Sequence, residues 1–85
     1  MNKKHYHVYR VGTGHGCFAR NYRRDFVGST WAVSEAQACN QVRYRALQRN
    51  NFNILAPIYD SHDLGYVTFK LEAFISSEDP YAEAV

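Results

Sequence analysis

The sequence predicts an α+β domain: an antiparallel four-stranded sheet (β-hairpin, one helix over about 35–49, β-hairpin) with the helix packed on one face. Three observations lead there. Helical periodicity with a capped start occurs once, between Ser34 and Arg49. Runs rich in aromatic and β-branched residues flank it on both sides, and the last of them alternates cleanly from Tyr66 to Ile75. The chain has 85 residues, enough for one domain with a small core and too few for two.

His5-Tyr-His-Val-Tyr-Arg-Val11 is the first expected strand. Its faces, His5, His7, Tyr9 and Val11 against Tyr6, Val8 and Arg10, are both mixed, so alternation does not say which points inward. Gly12-Thr-Gly-His-Gly16 is expected to break it, and Cys17 to Asp25 to extend the hairpin or form a loop. The second strand runs from Phe26 to Val33, with Gly28 a candidate bulge.

Ser34 then suits a helix N-cap, since its hydroxyl can accept a free amide of the first turn while Gln37 reaches back as in a capping box. Glu35 places negative charge at the positive end of the dipole, and Asn50-Asn51 can adopt a left-handed stop. At about 100° per residue the apolar stripe is Ala36, Cys39, Val42, Ala46 and Leu47, with Ala38 at its margin and Gln37, Gln41, Tyr44 and Gln48 opposite. Arg43 falls among the apolar positions, so its stem is expected to be packed. Small residues dominate the stripe, so the helix can lie close to the sheet and the strands must supply the bulk.

Beyond the helix, Phe52 to Tyr59 reads as a third strand limited by Pro57, and Asp60-Ser-His-Asp-Leu-Gly65 as a turn. Tyr66 to Ile75 is the fourth strand, with Val67, Phe69, Leu71, Ala73 and Ile75 as its core set. Residues 76–85 are acidic and terminal. They are expected to be a flexible tail, leaving 1–75 as the single domain.

The formal charge of +2 conceals an asymmetry: residues 1–49 hold nine Lys/Arg against two Asp/Glu, and residues 50–85 hold one against six. Either the halves neutralise each other across the sheet, or one surface attracts nucleic acid or an acidic protein. No apolar run spans a bilayer, and Met-Asn-Lys-Lys leads into His-Tyr-His rather than a signal core, so a soluble, unprocessed cytoplasmic chain is expected. Two cysteines, Cys17 and Cys39, do not make a disulfide scaffold.

Catalytic signals are weak. Gly12-x-Gly14-x-Gly16 has the wrong spacing for a dinucleotide cradle and no helix opening behind it. His5, His7, His15 and Cys17 lack the pairings of a zinc site, and Asp60, His62 and Asp63 show no orienting partner. The expectation is no enzyme and no cofactor. The stronger signal is arginine interleaved with tyrosine: Arg20, Tyr22, Arg23 and Arg24 in one segment, Tyr44, Arg45 and Arg49 along the helix. These residue types concentrate at the energetic centres of interfaces and also suit phosphate contact with base stacking. Replacing Arg23 and Arg24 with glutamate is expected to abolish partner capture and leave the thermal transition nearly unchanged.

Trp31-Ala-Val-Ser-Glu-Ala-Gln-Ala38, with Val42-Arg-Tyr-Arg45 on the helix behind it, resembles a pattern of small bacterial and phage proteins over residues 31–45. The one-helix, antiparallel-sheet arrangement is similar to some anti-CRISPR inhibitors. That resemblance implies a protein that binds the surface of a CRISPR nuclease or surveillance complex and blocks DNA recognition or cleavage; it carries over no individual residue. The reading is therefore a small non-enzymatic binding protein, of phage or mobile-element kind, that docks on a protein or ribonucleoprotein machine. Direct DNA or RNA binding and homodimerisation through a strand edge are its rivals.

Overall fold

Strands β1 (Lys4–His15) and β2 (Tyr22–Ala32), helix α1 (Glu35–Gln48), and strands β3 (Ile58–Asp60) and β4 (Gly65–Ile75) follow one another in the computed structural model, which describes residues 2–16, 22–49, 54–60 and 65–82. The strands form one antiparallel sheet in the order β2-β1-β4-β3, so the fold is the α+β arrangement the sequence predicts. β1 occupies the middle of the sheet. Its helix-facing residues Tyr6 and Val8 join Ala32, Ala38, Val42 and Ala73 in the core, with Leu71 and Ile75 packed alongside. The core set read from the alternation of β4 thus faces the helix at these positions.

Gly12 and Gly14 do not break β1, which continues in register with β4 from Tyr6↔Ile75 to His15↔Tyr66. The reason lies opposite Gly12. A Cβ there would stand 2.8 Å from the ring of Phe69, so the missing side chain lets that ring lie across the strand. Gly16, with φ of 65°, ends the strand in the left-handed region that glycine tolerates best. In β2, Val8 pairs with Gly28 and Tyr9 with Phe26, which leaves Val27 as the extra residue of a bulge beside the glycine. The third strand is shorter than expected: Ile54 and Leu55 lie in a turn, and pairing begins only after Pro57, which has no N–H to give. Ile54 is nevertheless buried.

Ser34 caps α1 by accepting the Gln37 amide at 3.1 Å, and Gln37 Oε1 accepts the Val33 amide at 2.8 Å. The buried stripe is rotated from the expected one. Ala38 and Val42 are its centre, whereas Ala36, Arg43 and Leu47 are exposed. Polar partners explain the rotation: Thr30 donates to Gln41 Oε1, and Arg45 donates to the Ser29 carbonyl at 2.9 Å and to Thr30 Oγ1 at 2.7 Å. Half-buried Gln41 and exposed Arg45 can therefore lean toward the sheet because polar partners meet them there. The proposed stop at Asn50-Asn51 lies outside the described residues.

Residues 76–82 do not leave the sheet as the expected flexible tail. Ser76–Glu78 form a 3-10 turn, after which Asp79 folds under the helix-free face with its side chain fully buried. Asp79 Oδ2 accepts from the Tyr9 hydroxyl and lies 2.7 Å from His7 Nδ1, while Oδ1 accepts the Tyr81 amide at 2.8 Å. An acidic composition did not prevent ordering because β1 presents two donors to a single carboxylate. Residues 83–85 lie outside the described residues.

This carboxylate clamp has two pH limits. Burial raises the Asp79 pKa, but the bonds from Tyr9, the Tyr81 amide and His7 outweigh it and hold the carboxyl below its ordinary range. Its contribution is full above the unfolded value and is lost as pH falls through the folded one. Tyr9 is pushed up to about 12 by burial first, then by the Asp79 hydrogen bond and charge. A raised phenol stabilises the fold fully below its unfolded value and loses that contribution between about 10 and 12. Denaturant unfolding of the wild type is therefore expected to weaken across that window more steeply than that of Tyr9→Phe; parallel curves would show that Tyr9 is not the group responsible.

Candidate functional site

Strand alternation divides the predicted arginine-tyrosine set between the two faces of the sheet. Arg24, paired with Val11, lies on the helix-free side. There it meets Glu72 at 2.6 Å and stands 4.0 Å over the ring of Tyr81, with Tyr9 and Phe74 also beneath it at 5.8 Å each. Burial raises the Glu72 pKa, but the hydrogen bond and charge of Arg24, with a smaller contribution from Lys70, bring it below the ordinary carboxylate range. This is one place where the basic and acidic halves neutralise each other. Arg24 is therefore engaged inside the fold, and the expectation that its replacement leaves stability nearly unchanged is corrected.

Arg23 points to the helix side and is exposed, 3.5 Å from Asp25. Tyr22 opens β2 with its backbone opposite Thr13, and Arg20 lies outside the described residues. On the helix, Tyr44 is 62% exposed. Arg45 and Arg49 line a cleft of about 510 Å³ with Arg10, Val27, Val42 and Ile54.

Element lengths create that cleft. The 14 residues of α1 extend about 21 Å and the 12 residues of β1 about 40 Å, so the helix stops partway along the sheet. Arg10 emerges where the helix ends. Its guanidinium stacks 4.5 Å from the Phe69 ring centre and makes two long contacts, to the Ile54 carbonyl and to Asp25 Oδ2, each at 3.4 Å. Arg10 Nε is buried with no hydrogen-bond partner among the described residues. Asp25 is shared between Arg10 and Arg23, and among the described residues Arg45 and Arg49 have no carboxylate partner. Sequence reasoning missed Arg10, though a charge in line with Tyr6 and Val8 on one strand face was a signal that it needed an unusual environment.

The helix-free face carries a second group of side chains. His5 lies 5.1 Å from Trp31 and His7 lies 5.7 Å from Phe26, and both of those larger rings are exposed. At the other end His15 stacks on Tyr66 at 4.5 Å. Among the described residues no group of three His, Cys, Asp or Glu could hold a metal ion. Burial first, then the charges of Glu35 and Glu72, push the Cys39 thiol up, which keeps it protonated at neutral pH. Cys17, His62 and Asp63 lie outside the described residues.

No family of proteins, curated protein or solved structure matches this chain. Among the described residues, no helix is long and apolar enough to cross a membrane.

Proposed function

We propose that this chain is a small non-enzymatic binding protein, cytoplasmic and of phage or mobile-element kind, that docks on a protein or ribonucleoprotein machine as anti-CRISPR inhibitors do. The observation supporting this is the placement of Arg23, Tyr44, Arg45 and Arg49 on the helix side, with Arg45 and Arg49 lacking carboxylate partners among the described residues. Guanidinium forks and an exposed tyrosine are the groups that anchor interfaces and pair with partner carboxylates or phosphates. Arg24 is left out of this surface because it holds Glu72 and Tyr81.

Affinity capture from host lysate, with and without nuclease, tests the proposal. A specific partner retained after nuclease and lost from a Tyr44→Ala/Arg49→Glu variant is the expected result. Retention of the same partner by that variant would remove the surface from the account. A catch that disappears on nuclease treatment would favour direct nucleic-acid binding, a reading that the arginine-lined cleft also supports.

A further inference from the structure

We propose that the cleft bounded by Arg10, Arg45 and Arg49 is a site for a phosphate-bearing ligand of the nucleotide class, with its phosphate oxygens on the guanidinium groups and its apolar part against Val27, Val42 and Ile54. The inference shares two arginines with the docking surface above. It does not depend on the identity of any docking partner.

Charge supplies the first argument. Arg45 and Arg49 stand four residues apart on one helix, a spacing that brings like charges together and destabilises an isolated helix. Arg10 lines the same cleft from the strand, and the carboxylate it reaches, Asp25, is shared with Arg23. The end of α1 contributes only about half a negative charge through its free carbonyls. A single carboxylate would leave most of the positive charge uncompensated, whereas a diphosphate or a phosphodiester chain would not.

Unused donors supply the second. A guanidinium has about five N–H groups. Arg45 commits two of its nitrogens to Ser29 and Thr30, which fixes the group in place and leaves donors over. Arg10 is oriented by the Phe69 ring, its two contacts are long, and its Nε is buried without an acceptor among the described residues. The terminal nitrogens of Arg10, held only by those long contacts, gain more from an incoming oxyanion than nitrogens already satisfied, whereas the buried Nε has no surface facing the cleft. The volume, about 510 Å³, falls within the range of small-ligand sites and is larger than phosphate alone needs. Val27, Val42, Ala46 and Ile54 also line the cleft and offer an apolar surface on which a base can pack.

The test is calorimetric titration of the full chain with inorganic pyrophosphate, adenosine diphosphate, a short oligothymidylate, and citrate as a carboxylate control. Saturable binding of at least one phosphate probe, tighter than citrate, is expected. Binding should weaken about tenfold in Arg49→Gln, whose exposed side chain makes folding failure no concern, and further in Arg10→Gln. Tighter binding of the free diphosphates points to a nucleotide as source. Tighter binding of the oligonucleotide, with a salt slope that falls by about 0.7 in Arg49→Gln, points to a nucleic-acid backbone. No saturable binding, binding unaltered in both variants, or citrate bound as well as pyrophosphate would each overturn the proposal. Lysate capture separates it from the docking surface: a nuclease-resistant partner without phosphate binding sinks only this site, and phosphate binding without any partner sinks only the docking.

Discussion

Asp79→Ala is expected to lower the unfolding free energy by about 2–4 kcal/mol, since it leaves both the Tyr9 hydroxyl and His7 facing a space with no acceptor. Asp79 is fully buried, so the lost bonds cannot be replaced by bulk water without opening the segment that covers them. In a chain of this size each kcal/mol moves the melting midpoint by about 4–8 °C, so a drop of at least about 8 °C is expected. Asp79→Asn, which keeps the volume and one acceptor oxygen, should lose less. The Tyr81 aromatic contacts to Tyr9 and Phe74 should weaken together with the clamp, and near-ultraviolet circular dichroism would report it. If Asp79→Ala melts within a few degrees of wild type, residues 76–82 are not anchored as described.

Arg24→Glu is expected to cost a further comparable amount, about 2–4 kcal/mol, and Arg23→Glu less than about 0.5. The two residues are neighbours in sequence and opposites in environment. The Arg24 side chain is 13% exposed and lies 2.6 Å from Glu72, so glutamate there sets two carboxylates against each other beneath Tyr81. Arg23 is solvated and shares Asp25 at 3.5 Å. Thermal melts of the two single variants measure the contrast, and equal midpoints would show that strand alternation does not divide them. A double-mutant cycle with Glu72→Gln should return a coupling on the order of 1 kcal/mol for the Arg24 pair.

The two arginines also show what the sequence could and could not reveal. Periodicity and capping chemistry fix the helix start at Ser34, because the N-cap bond to Gln37 is local. The core face of β4 was legible for the same reason: alternation along one strand needs no partner. The rest depended on groups distant in sequence. Which face of β1 meets the helix is decided by Ala38, Val42 and Ala73 together. The continuation of β1 through Gly12 depends on Phe69, and the ordering of Asp79 on donors some seventy residues earlier.

The candidate site divides in the same way. Tyr44, Arg45 and Arg49 could be placed on the helix from sequence, but the sequence leaves residues 17–25 open between an extended hairpin and a loop; the strand runs from Tyr22, as the first alternative has it, and sends Arg23 and Arg24 to opposite sides. Arg10 is marked locally only by its place in line with Tyr6 and Val8, which shows an unusual environment but not the cleft it enters. Only the length mismatch between helix and sheet reveals it.

The strand order carries a consequence for biosynthesis. β1 is made first and ends up between β2 and β4, so one of its hydrogen-bonding edges can close soon after Ala32 is translated and the other only after Ile75. At ordinary elongation rates, about 5–20 residues per second, that gap lasts a few seconds. Throughout it the nascent hairpin offers the ribosome surface and its chaperones an unpaired strand bearing Tyr6, Val8 and Tyr9.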